Sequence, residues 1–297
     1  MLPAGGAADM TAAVTALPSI AEVLRGYSIE ANPRDPKVVD SAADRLDPET
    51  EVFLTWIPGT NPMDMVGPAA RLRRAGLFPV PHVGARHLES PAQLEQFAAR
   101  LVGEADVDRI LIVGGDRAKP AGPYDCCLAV METGVFQKAG ISRMAVAGFP
   151  EGNPNVPDTV LDEALMAKVN FARAARVQLS IVTQFCFKAE PIVEWLRRLR
   201  ARGIYTPARV GLAGPVGLIT LARYAVRCGV GNSLHMLSEH PAFARLLIEK
   251  GPEPIIRSIS TAAGSETSLP LGVAGLHFFV FGGFNKTVEW INAQRGC

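Results

Sequence analysis

No two of the five cysteines stand in a C-x-x-C pair, and their number is odd. A disulfide framework and a thiolate zinc site are both disfavoured, and a reducing cytoplasm is the expected setting. An excess of charge of either sign is missing as well. The net charge is +1, with acidic and basic residues interspersed, so a nucleic-acid partner is not expected. No uncharged apolar run reaches the roughly 18 residues that a membrane helix needs. The chain also lacks a G-x-G-x-x-G turn after its first strand, a G-x-S-x-G elbow and a Walker loop. His82 has no His or Cys at metal-ligand spacing. His235 and His240, near Glu239, read as surface, so no metal site is expected.

What is present is apolar and periodic. Hydrophobic residues make up 48% of the 297, ample for a large core. Eight short runs rich in Val, Ile, Leu and Phe read as strands, at 27–30, 52–57, 79–83, 109–114, 143–149, 179–185, 208–213 and 276–281. Most are continuously apolar rather than alternating, which is the pattern of buried parallel strands. Helical patterns lie between them, over Pro36–Arg45, Pro91–Val102, Asp158–Arg176 and Pro191–Arg202. In the last of these, the arginines at 197, 198, 200 and 202 read as a mostly outward, solvated face. Strand–helix units of about 25–35 residues predict a single-domain (β/α)8 barrel. Extra helices, Ala242–Lys250 and Pro254–Ala263, are expected before the last strand. The barrel is expected over 20–297, and 1–19 as a flexible terminus without the apolar centre of a signal peptide.

Polar residues close many of these runs: Glu30, Thr55, His82, Asp116, Glu151 and Gln184. In a parallel barrel all strand ends meet at one face, so these residues are expected around one pocket. A carboxyl at a buried strand end has its pKa raised and can act as a general acid, although Glu30 could equally bridge a neighbouring group. Asp116 follows Gly114 and Gly115, which permit close approach of backbone to a ligand, or it caps a turn. His82 suits either a packed core or a ligand. The Gln184 amide can donate and accept together, as recognition of a heterocyclic amide edge requires. Cys126 and Cys127 read as small apolar residues.

Taken in order, these segments resemble the methylenetetrahydrofolate reductase family, over roughly Tyr27 to Asn285. The family's S-F-E-F-F-P-P is matched by Ser28-Ile29-Glu30-Ala31-Asn32-Pro33, and its V-T-Y by Leu54-Thr55-Trp56. Its P-H-L-T resembles Pro81-His82-Val83-Gly84, and its L-R-G-D resembles Val113-Gly114-Gly115-Asp116. Its A-Y-P-E-x-H-P is similar to Gly148–Pro154, and its I-T-Q-F-F-F to Val182-Thr183-Gln184-Phe185-Cys186-Phe187.

The resemblance implies reduction of 5,10-methylenetetrahydrofolate to 5-methyltetrahydrofolate on FAD, with NADH or NADPH as electron donor. Glu30 would be the catalytic acid, Asp116 would tune the ring chemistry, and Gln184 with Phe185 would hold the pterin. Thr55, His82, Gly115, Tyr124, Ala147 and Lys168 would surround the flavin. The chain departs from the family pattern at Gly114, where the family carries Arg, at Asn153, and at Leu218 or Ile219, where it carries an aromatic. Two outcomes fit: flavin held by altered contacts, or flavin lost and hydride passed directly from the nicotinamide. The alternatives are a non-catalytic flavin- or folate-binding barrel, and a lyase on the same fold. The reaction's direction and the oligomeric state stay open.

Overall fold

The computed structural model describes residues 19–57, 59, 61–227, 251–265 and 271–296. The expected helix Ala242–Lys250, His235, His240, Cys228, Cys297 and most of the expected flexible terminus lie outside the described residues.

Eight parallel strands close into a barrel in sequence order. They are β1 (Ser28–Ala31), β2 (Glu51–Leu54), β3 (Phe78–Gly84), β4 (Arg109–Val113), β5 (Arg143–Gly148), β6 (Gln178–Phe185), β7 (Ala208–Ala213) and β8 (Val273–Phe279). The ring closes where Ser28 and Ile29 of β1 pair with His277 and Phe278 of β8. Each expected run coincides with a strand to within a few residues. The last one begins earlier than expected and stops at Phe279, before the backbone turns left-handed at Phe281 (φ 45°).

The helices among the described residues are α1 (Ile20–Val23), α2 (Pro36–Arg45), α3 (Val66–Arg74), α4 (Pro91–Ala105), α5 (Cys127–Glu132), α6 (Val135–Lys138), α7 (Asp158–Ala174), α8 (Ala189–Ala201), α9 (Leu218–Arg227), α10 (Glu253–Ser265) and α11 (Phe284–Arg295). Their starts follow local chemistry. Asp35 caps α2 by accepting from the Lys37 amide, and Ser90 caps α4 by accepting from Gln93, each with Pro in the first turn. The extra helix expected at Pro254–Ala263 is α10. None of the described helices is long and apolar enough to cross a membrane.

Two separate apolar clusters follow from strand alternation. The large one lies between barrel and helices, and includes Ile29, Val52, Leu54, Ile110, Ile112 and Val146. The small one holds Phe53, Val80, Leu111, Ala145 and Val182, which fill the barrel interior. Residues two apart on a strand share a face, so this interior set tells which polar side chains enter the barrel.

At the base of the barrel Glu51 bridges two arginines. Its Oε1 accepts from Arg109 at 2.7 Å, and its Oε2 lies 2.7 Å from Arg209. The Arg109 guanidinium also lies 3.9 Å over the Phe78 ring. The arginines of α8 correct the expectation of a solvated face at one position. Arg200 is 2% exposed and donates to the carbonyls of Leu271 at 2.9 and 2.7 Å and of Thr206 at 3.1 Å. It thereby pins α8 to the entries of β7 and β8.

Candidate active site

Glu30 pairs in register with Phe53, and Phe53 with Val80. Glu30 therefore enters the barrel, at its C-terminal end. His82 is two residues beyond Val80, Thr55 beyond Phe53 and Ala147 beyond Ala145, so each stands at that same rim. Gln184 lies at the C-terminal end of β6, and so at the same end of the barrel. Glu30 and Gln184 thus share one face.

The register of β6 against β7 shifts between Val182 and Phe185. Thr183 repairs the ladder there: its hydroxyl accepts from the Gly211 amide at 2.8 Å and donates to the Gln184 carbonyl at 2.9 Å. A side chain on Gly211 would meet Thr183 O at 2.3 Å, so glycine is required at this close approach.

Burial raises Glu30 to about 7, with His82 pulling the other way. Burial lowers His82 to about 4, and lowers His277 to about 3 with Arg209 adding to the effect. The result is a carboxyl that holds its proton near neutrality beside two neutral imidazoles. His277, on β8, had no place among the expected site residues. Its Nε2 lies 3.9 Å from Glu30 Oε1, and its Nδ1 lies 2.9 Å from Ser28 Oγ. Phe53 and Phe279 pack edge-on against its ring, at 4.5 and 4.8 Å. A lone polar residue inside the apolar run Leu276–Phe279 was the available signal.

Buried polar atoms without a hydrogen-bond partner at this end of the barrel include His82 Nε2, Gln184 Oε1, Gln184 Nε2 and Trp56 Nε1. His82 and Gln184 are each 9% exposed. An orphaned buried amide is costly, so such groups mark places where a ligand completes the bonding. A cavity of about 440 Å³ opens on the same face between the loops after β1, β7 and β8, lined in part by Lys37, Thr220, Phe281, Asn285 and Lys286. Ile219, one of the two positions that align with the aromatic of the resembled family, stands 88% exposed after β7.

The other expected residues are engaged in contacts within the chain. Asp116 is at the rim but pairs with His87, and the Thr55 hydroxyl donates to Ala31 O at 3.3 Å. The space that Gly115 leaves open is taken by His87, not kept for a ligand; a Cβ there would lie 2.8 Å from the imidazole. Tyr124 is buried, its hydroxyl pushed up by burial and by Glu95 of α4. Lys168 sits on α7 in a narrow cleft with Ala147, Gly148 and Trp195, and its charge acts on the buried Cys127 thiol, which burial pushes up to about 12. Phe185 is 1% exposed, enclosed by Phe187, Phe279 and Phe281. Glu151 and burial together raise the Cys186 thiol, burial the more. Among the described residues, no group of three or more His, Cys, Asp or Glu is placed to hold a metal ion.

The fold and this rim define a single-domain (β/α)8 barrel with a polar, partly orphaned mouth. No family model matches the chain. It is similar in fold to a mutant tryptophan synthase α-subunit from Pyrococcus furiosus, at 12% identity, covering 90% of this chain and 94% of that one, with a TM-score of 0.47. A 3-dehydroquinate dehydratase from Geobacillus kaustophilus is 12% identical over 91% of this chain and 89% of its own, with a TM-score of 0.44. A chitinase from Rhizomucor miehei is 12% identical over 91% of this chain and all of its own, with a TM-score of 0.47. Likeness at this level concerns the barrel and not its chemistry.

Proposed function

We propose that the chain is an oxidoreductase interconverting 5,10-methylenetetrahydrofolate and 5-methyltetrahydrofolate, with the hydride exchanged directly with a nicotinamide cofactor. The observation that carries the reading is the Gln184 amide, whose donor and acceptor are both buried without partners at the mouth that also holds the protonated Glu30. A pterin edge presents an acceptor and a donor side by side, which such an amide pairs.

In the reducing direction, Glu30 gives its proton to the folate nitrogen that leaves the methylene carbon. That carbon–nitrogen bond breaks, and an iminium forms on the remaining nitrogen. Hydride from NADH or NADPH then closes it to a methyl group. The Glu30 carboxylate recovers its proton from solvent once the product leaves. The folate tail, extended and acidic, would run toward the cavity bordered by Lys37 and Lys286.

FAD fits this chain poorly. The space beside Gly115, one of the six residues that would surround it, is filled by the His87 ring. The Arg that the resembled family places at position 114 is glycine here. No step is therefore routed through flavin. The experiment is a turnover assay with 5,10-methylenetetrahydrofolate and NADH or NADPH in the absence of added flavin, paired with calorimetric titration of tetrahydrofolate. Nicotinamide oxidation that depends on folate supports the reading. Folate binding without turnover would leave a binding protein, and neither would end the proposal.

A further inference from the structure

Glu30 and His277 face one another inside the barrel, and Ser28 stands behind the imidazole. Ser28 and His277 are fully enclosed, at 0% and 1% exposure. Ser28 Oγ makes two contacts, at 2.9 Å to His277 Nδ1 and 3.3 Å to the Leu276 carbonyl. One proton arrangement satisfies both. The carbonyl can only accept, so the hydroxyl proton goes to it, and Nδ1–H must donate to Oγ. A neutral imidazole has a single N–H, now spent on Ser28. Nε2 is then a bare lone pair, 3.9 Å from Glu30 Oε1.

We infer that His277, its tautomer fixed by Ser28, is a positioning residue that keeps Glu30 in its proton-donating form. At 3.9 Å the two groups do not hydrogen-bond, but the bare Nε2 is the negative end of the imidazole dipole, and aimed at Glu30 in a desolvated site it disfavours the carboxylate and leaves the neutral acid untouched. His277 plays this part only while uncharged, and burial holds it so, with a value lowered to about 3. The other ionisable groups acting on the pair are His82 from β3, and Glu51 of β2 and Arg209 of β7 toward the barrel base. The inference rests on Glu30 being the acid of the reading above.

The test is an infrared pH titration of the ligand-free, full-length chain. The protonated Glu30 band is assigned as the one missing in Glu30→Gln. His277→Asn keeps a polar group near the Nδ1 position but removes the acceptor facing Glu30. His277→Gln places an amide oxygen where Nε2 was. Ser28→Ala releases the tautomer, so that Nε2 can carry the proton. We expect His277→Asn to lower the Glu30 midpoint by about half a pH unit, the scale of one dipole facing a charge in a desolvated site. Ser28→Ala should lower it in the same direction, and His277→Gln should restore most of it. An unchanged midpoint in His277→Asn and Ser28→Ala overturns the inference, as does a shift in His277→Gln equal to that in His277→Asn. If the His277 variants do not fold, Ser28→Ala decides alone. Because no folate is present, failure of the folate reading leaves this result standing, and the reverse holds too.

Discussion

His87 Nε2 and Asp116 Oδ1 lie 2.7 Å apart, and the Trp56 ring lies 5.3 Å from that imidazole, tilted by 37°. The contact joins the loop after β3 to the loop after β4. Arg86 strengthens the junction from the other side, donating to the carbonyls of Arg117 at 2.7 Å and Asp125 at 2.9 Å. Trp56 and His87 also pack onto Gly84, where an added Cβ would lie 3.1 Å from the imidazole and 3.3 Å from the indole. This part of the rim is filled by the chain's own rings.

The first prediction follows from that filling. The purified protein should be colourless, and added FAD should not raise its melting temperature. A ligand at a hundred times its Kd would stabilise by about 2.7 kcal/mol, a shift readily seen by scanning fluorimetry. A stoichiometric yellow protein after gel filtration would show that another surface holds the flavin.

Gln184 leads to a prediction in which stability and binding move apart. Both ends of its amide are buried without partners in the free protein. Gln184→Leu removes that desolvation cost and should raise the unfolding free energy by about 1 kcal/mol. The same change deletes the proposed pterin contacts and should weaken tetrahydrofolate binding roughly ten- to hundredfold. Denaturant melts and calorimetry read the two effects separately. A variant that is less stable and binds folate normally would place the amide's role elsewhere.

The barrel was legible because buried parallel strands are written as continuous apolar runs, and Val52–Leu54 or Ile110–Val113 can hardly be anything else. The meeting of Glu30 and His82, and the place of Gln184 at the same end of the barrel, followed from the rule that strand ends share a face. Other features needed three dimensions. His87 and Asp116 are 29 residues apart, and no local pattern announces their pairing. Ser28 and His277 are 249 residues apart and meet only because the barrel closes. Arg200 sits in a run of arginines, where periodicity suggests solvent, yet carbonyls near β7 and β8 receive it. Helix α3 has little periodic signal, because Val66, Ala69 and Leu72 are few among Gly, Pro and Arg.

The base of the barrel supplies a prediction about stability alone. Glu51 lies between Arg109 and Arg209, and the three side chains are only 8% to 20% exposed. Glu51→Ala would leave two guanidiniums facing each other without a carboxylate between them. Arg109 keeps its paired contacts to Asp108, so the uncompensated charge is chiefly Arg209, and the loss should be about 2–3 kcal/mol. Chemical denaturation should show a loss of that size while the rim, on the opposite face, keeps its folate affinity. A loss below about 1 kcal/mol would mean that water entering the cavity of about 250 Å³ that Glu51, Arg109 and Arg209 line at the N-terminal face screens the arginines.

Glu30→Gln separates catalysis from folding through pH. The folded value of Glu30, about 7, lies above its ordinary 4.5. Between those values the native protein holds a proton that the unfolded chain has released, so this residue's contribution to stability falls as pH rises through the window. Above about pH 7 the cost of burying the carboxylate is complete. His82 and His277 act in the opposite sense: their folded values, about 4 and about 3, lie below 6.5, so they cost stability as pH falls under 6.5. Gln keeps the size and cannot ionise. Relative to the parent, Glu30→Gln should show no gain near pH 4, a growing gain across the window, and a plateau of at most about 3 kcal/mol near pH 8. Turnover should move the other way. General acid catalysis contributes roughly a hundred- to ten-thousandfold, and reduction of 5,10-methylenetetrahydrofolate should fall by that factor while tetrahydrofolate still binds. Melting curves across pH, set beside steady-state rates, read both. A variant with near-normal turnover would remove Glu30 from the chemistry, and one with a pH-independent stability difference would remove the raised carboxyl on which the proposed acid depends.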